Sequence, residues 1–99
     1  MFYYLCPPAY KSAAIDAVDA GAGSKTSITA VGGAPYGALL SGADDTLEIR
    51  SAEDSENFGE LVLDYSESTS SKLVFTTAAT GWVDNTADTS LIISLKATA

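Results

Sequence analysis

The chain has 99 residues, with 13 acidic and 5 basic side chains, no His and one Cys, and its formal charge is −8. The absence of His excludes Ser-His-Asp and Cys-His catalysis and His-ligated zinc, and a lone Cys excludes an internal disulfide. The acidic balance argues against nucleic acid and anionic membranes as partners, because both bind surfaces rich in Lys and Arg.

The first ten residues contain four of the nine aromatic side chains. Neighbouring residues of a strand point to opposite faces, so a strand here would present apolar groups on both. Prolines at positions 7 and 8 hold the backbone extended. Residues 1–10 therefore form either a core strand or an arm that contacts a partner, and both interpretations stay open. The candidate interface residues are Phe2, Tyr3, Tyr4, Leu5 and Tyr10.

Residues 11–99 are expected to form a single β domain. Residues 11–20 are ambiguous, because Ile15 and Val18 are spaced for a short helix ending at Gly21, whereas a strand over residues 12–18 fits nearly as well. After residue 25 the pattern predicts strands at residues 26–31, 36–40, 46–50, 58–65, 72–77 and 90–96. Turn residues separate these segments at intervals of about ten residues, which is typical of an antiparallel β-sandwich or small β-barrel. We expect this all-β fold with at most one short helix.

The alternating strands also predict the core, because one face of each strand is apolar and the other polar. In residues 58–65 the inward set ends at Tyr65. The predicted core residues are Leu47, Ile49, Leu61, Leu63, Leu73, Phe75, Leu91, Ile93 and Leu95.

Residues 21–26, GAGSKT, are similar to a phosphate-binding loop, in which glycine amides surround phosphate ahead of a Lys. Three features oppose that function: Ser24 replaces the Gly before Lys25, Asp19 occupies the first Gly position, and a strand rather than a helix is predicted next. We interpret the segment as a loop without a ligand.

Asp54, Glu56 and Gly59 partly match a calcium-binding loop, but Phe58 and Tyr65 occupy positions that should supply ligands. Asp and Asn in turns commonly bond their own backbone. We therefore predict no metal site and no cofactor.

Cys6 has no basic neighbour that would activate it, so we interpret it as a small buried hydrophobe. Trp82 with Tyr36 or Tyr65 has the composition of a sugar-stacking platform, although a lone Trp beside a strand is more typical of a core. No catalytic residue is predicted, and we expect a protein that is not an enzyme.

Residues 1–10, 21–31 and 32–36 resemble small bacteriophage virion proteins of the capsid decoration (cement) type, which are short, acidic, Ala-, Thr- and Gly-rich β chains. The resemblance implies a structural protein that forms a homo-oligomer, often a trimer, or binds a protein shell. The start lacks the basic segment and apolar run of a signal peptide, so we expect synthesis in the cytoplasm. The resemblance implies incorporation into a virion.

Two alternatives belong to other classes. A carbohydrate- or protein-binding β-sandwich module would expose Trp82 together with a Tyr. A small enzyme using paired carboxylates would place two acids in one cleft.

Overall fold

The computed structural model describes residues 10–11, 15–21, 24–40 and 45–96, and of residues 10–11 it describes the backbone only. These residues form two four-stranded sheets and two 3₁₀ turns, with no α-helix in the described ranges. The strands are β1 (Tyr10–Lys11), β2 (Asp16–Asp19), β3 (Ser27–Ala30), β4 (Thr46–Arg50), β5 (Phe58–Val62), β6 (Lys72–Val74), β7 (Asn85–Asp88) and β8 (Ile92–Leu95). In the described part of the chain, no helix has the length and hydropathy of a transmembrane span.

Sheet I has the strand order β1-β8-β4-β5, and sheet II has the order β6-β3-β2-β7. All of the pairs are antiparallel, and four of them are nested: β1 with β8, β2 with β7, β3 with β6 and β4 with β5. This is the pattern of a long hairpin folded over into two layers. The fold is therefore an antiparallel β-sandwich, as the sequence predicts, and it is not a closed barrel.

The core lies between the sheets and matches the predicted alternation. In β4, Leu47 and Ile49 are buried whereas Glu48 and Arg50 are exposed. Seven of the nine predicted core residues are buried, and the other two, Leu61 and Leu95, are half-buried against the same cluster. The register predicted from the sequence is confirmed.

The chain passes from sheet I to sheet II directly after β5, at residues 63 and 64. Leu63 pairs with Phe75 in an isolated antiparallel bridge, and the Asp64 amide donates to the Val74 carbonyl at 2.8 Å. Leu63 and Phe75 are both fully buried, so this crossing also closes one side of the core.

Three local expectations are resolved or corrected. Of the helix and the strand left open for residues 11–20, the structure has a strand at residues 16–19. This strand lies between β3 and β7 in sheet II, and its alternate residues Asp16 and Val18 are buried. The strand predicted at residues 36–40 is wrong: Gly37–Leu39 is a 3₁₀ turn that buries Tyr36 and Leu39, and a spacing of three residues suits that turn. Tyr65 begins a second 3₁₀ turn, Tyr65–Glu67, and is exposed rather than inward.

Candidate functional site

Four of the five predicted interface residues, Phe2, Tyr3, Tyr4 and Leu5, lie outside the described residues, and so does Cys6. Tyr10 opens β1, where its backbone pairs with that of Ser94 at one end of sheet I. The role of residues 1–10 as core strand or interface arm therefore stays a prediction.

The loop that is similar to a phosphate-binding loop uses its key side chains to hold the fold. The Lys25 ammonium lies 2.7 Å from Asp64 and 2.9 Å from Glu67, and these bonds raise the pKa of the lysine. The Thr26 hydroxyl is buried, donates to the Ala20 carbonyl at 2.9 Å and accepts the Ala79 amide at 2.7 Å. The chain continues from Thr26 into β3 rather than into a helix, so these residues are arranged as a structural loop.

Gly21 in the same loop is needed for the turn. Its φ is +92°, and a Cβ there would lie 2.5 Å from the Ser24 carbonyl oxygen. The Ser24 amide donates to the Gly21 carbonyl at 2.7 Å. The position therefore selects glycine for backbone geometry.

The acidic loop over residues 51–57 binds donors from the segment around β7. Glu53 accepts the Thr89 amide at 2.9 Å and also bonds the Thr89 hydroxyl, and these bonds lower the pKa of Glu53. Asp54 accepts the Asn85 side-chain amide at 2.6 Å. Within the described ranges, no group of three or more Asp, Glu, Cys or His side chains is arranged to hold a metal ion. The acids of this loop tie sheet I to sheet II.

Two fully buried acids, Asp16 and Asp88, were not anticipated from the sequence. They face each other across the β2–β7 pair. The buried Tyr36 hydroxyl donates to Asp16, while Asp88 accepts the Ser90 amide at 2.7 Å and the Ser51 hydroxyl at 2.5 Å. Burial, and then the bond to Asp16, raise the pKa of Tyr36. Both carboxylates are buried and accept hydrogen bonds, so neither lines an open cleft in which a substrate could bind.

Trp82 and Tyr36 do not form a stacking platform. Trp82 is 8% exposed and Tyr36 is fully buried, and both belong to the core. Among the aromatic residues whose side chains the structure describes, Phe58 and Tyr65 are exposed. The requirement of the sugar-binding alternative, an exposed Trp82 beside a Tyr, is not met.

The candidate functional surface is the outer face of β8, β4 and β5, which we call the outer face of sheet I. Strand pairing orders it in three rows. The rows are Phe58–Arg50–Ile92, Glu60–Glu48–Ser94 and Val62–Thr46–Lys96. A shallow groove of ≈420 Å³ lies over the first two rows.

Phe58 is the most exposed large hydrophobic side chain of the described residues, at 70%. It stands directly opposite Arg50 across the β4–β5 pair. Phe58 was not predicted as a surface residue from the sequence, although a signal was present. Phe58 alternates in step with Glu60 and Val62, so it lies on the face opposite the predicted core residue Leu61. A large aromatic side chain on the solvent side of an alternating strand makes this face a candidate contact surface, because covering it removes apolar area from water.

No protein-family model matches the chain, and neither the curated proteins nor the solved structures include one with significant similarity to it.

Proposed function

We propose that the protein is a structural, non-catalytic component of an assembly, associating with its own copies or with a larger protein shell as capsid decoration proteins do. The observation that supports this is the exposure of Phe58 on the outer face of sheet I, with Val62 at 41% exposure on the same strand. Covering a large aromatic side chain that a rigid sheet holds in water removes apolar area from water and favours association.

A non-catalytic role is supported by the tasks that the reactive groups perform. The buried acids Asp16 and Asp88 accept hydrogen bonds within the core. Lys25 is engaged by two carboxylates, and the Thr26 hydroxyl bridges two backbone groups. These side chains stabilise the sandwich. The outer face of sheet I carries charged and apolar side chains that are free to contact a partner.

A binding module is the second candidate, because the groove beside Phe58 combines an aromatic ring with Arg50, Glu48 and Glu60. Double-sheet β folds serve in both capsid and lectin domains, so the fold alone does not separate the two functions. Titration of labelled protein with a panel of oligosaccharides, followed by NMR shifts of Phe58 and Arg50, would favour this candidate if the shifts saturate.

The test of the structural role uses the protein in its natural source. Particles are purified on a density gradient, and the amount of the chain per shell subunit is measured by mass spectrometry. A constant ratio across the particle peak is expected. Recovery of the chain only in the soluble fractions, together with a monomer at all concentrations in sedimentation velocity, would contradict the proposal.

Removal of residues 1–8 tests the predicted arm. The variant should keep its β circular dichroism and bind particles or further copies more weakly. Loss of the β spectrum would identify the segment as a core strand instead.

A further inference from the structure

The outer face of sheet I differs in charge from the rest of the molecule. Its charged side chains are Glu48, Glu60, Arg50 and Lys96, two of each sign, so the face is formally neutral. The whole net charge of −8 therefore lies elsewhere on the chain. A basic partner would be attracted to those other surfaces, whereas a second acidic copy is repelled least at this one.

The charges on this face are also ordered. Arg50 and Glu48 point outward from the same strand, two residues apart, which is about 7 Å along β4. Glu60 stands opposite Glu48, and the Lys96 ammonium bonds Glu60 at 2.9 Å. Among the described residues Arg50 takes part in none of the ion pairs, which join Lys25 to two acids and Lys96 to Glu60. Arg50 thus presents a cation beside the acid Glu48.

This order is self-complementary. A two-fold axis lying in the plane of contact, perpendicular to β4 and midway between Arg50 and Glu48, exchanges the two positions. It sets Arg50 of each copy over Glu48 of the other, with both charge pairs made by one rotation. The rotation keeps β5 over β5 and β8 over β8, so the same contact places Phe58 over Glu60 of the other copy and Ile92 over its Ser94. It covers the 70% exposed Phe58 ring and so removes apolar area from water.

We propose that the outer face of sheet I is an isologous contact with a second copy of this chain, in which Arg50 of each copy pairs with Glu48 of the other. The inference rests on the self-association included in the proposed function. Two strands of five residues and one of four span about 10 by 17 Å, which is small for a stable interface. The association is therefore weak and concentration-dependent.

The test reverses the charge of Arg50 or Glu48 and then mixes the two variants. Sedimentation equilibrium measures the association of each sample from micromolar to millimolar protein concentration. Arg50→Glu sets acid against acid in the dimer, and Glu48→Arg sets base against base. Each variant alone should associate about tenfold or more weakly than the wild type. An equimolar mixture of the two, and the double variant carrying both changes, should regain association because opposite charges meet again.

Lys72→Glu is the matched control for Arg50→Glu, since it makes the same change in net charge at an exposed position of β6, in sheet II. It should dimerise as the wild type does. Phe58→Ser should weaken association without any charge change.

Three results would overturn the inference: a wild type that is monomeric throughout, single reversals that dimerise normally, or a mixture no better than its components. If reversals have no effect while removal of residues 1–8 abolishes association, the arm carries the contact instead. In that case, or if a monomeric protein still sediments with particles at constant ratio, the proposed function survives and only this inference fails.

Discussion

The side chain of Asn57 forms two hydrogen bonds with the backbone of Val83, donating to its carbonyl at 3.0 Å and accepting its amide at 2.8 Å. Asn57 precedes β5 in sheet I and Val83 precedes β7 in sheet II, so the contact ties the layers together. The Asn57 side chain is fully buried. The Asn57 side-chain amide thus gives the Val83 backbone the two hydrogen bonds that a neighbouring strand would supply within a sheet.

Replacement of Asn57 by Ala should therefore be costly. The change removes two hydrogen bonds and a fully buried side chain, and we expect the free energy of unfolding to fall by about 1–3 kcal/mol. Urea denaturation measures the loss, with the exposed Thr80→Ala as a control that should cost under about 0.5 kcal/mol. An Asn57→Ala variant as stable as the control would show that the contact contributes nothing.

Alternating apolar residues made the faces of β4, β5 and β8 predictable, because a half-buried strand repeats every two residues. The strand β7, Asn85–Asp88, could not be found in this way. It is an edge strand of sheet II and pairs only with β2 within that sheet. Its one apolar residue is an Ala, so it shows no apolar alternation. The turn at residues 37–39 was missed because Tyr36 and Leu39 are buried three residues apart, in a segment too short to show a period.

The buried acids were beyond sequence reasoning for a different reason. Asp16 follows Ile15 and precedes Ala17 in a sequence that suits a helix or a strand. Its carboxylate accepts a hydrogen bond from the Tyr36 hydroxyl, 20 residues away. A long-range hydrogen bond of this kind leaves no local pattern, and the same holds for the contact of Asn57 with Val83.

Core substitutions test the register. Leu63→Ala and Ile93→Ala remove fully buried side chains and should each cost about 2–5 kcal/mol. Glu60→Ala and Lys96→Ala break one exposed ion pair, which water screens, and should each leave the free energy of unfolding nearly unchanged. Thermal and urea unfolding give these values. If Val62→Ala proved more costly than Leu63→Ala, the two faces of β5 would have to be exchanged.

Calcium should not stabilise the protein. The carboxylates of Glu53 and Asp54 already accept hydrogen bonds from Thr89 and Asn85, which a cation would have to displace. Melting temperature measured with excess chelator and with added calcium should agree. A rise of several degrees with calcium would reveal an ion bound to the folded state, since a ligand specific for that state stabilises it.

Burial of Tyr36, together with its bond to Asp16, should make the free energy of unfolding fall in alkali. Burial and the bond to Asp16 raise the pKa of Tyr36 above its ordinary value of 10.0, so above that pH the unfolded chain releases a proton that the folded chain retains. The contribution is present in full below pH 10.0 and is lost as the pH rises.

Tyr36→Phe isolates this effect. At neutral pH the variant should be less stable by about 1–3 kcal/mol, because Asp16 loses a buried donor. Above pH 10.0 its stability should decline less steeply than that of the wild type, because one titrating group is gone. Urea unfolding at stepped pH measures both quantities, and Tyr65→Phe, at an exposed position, should follow the wild-type curve. Equal slopes for Tyr36→Phe and the wild type would mean that Tyr36 ionises as readily in the folded state as in the unfolded one.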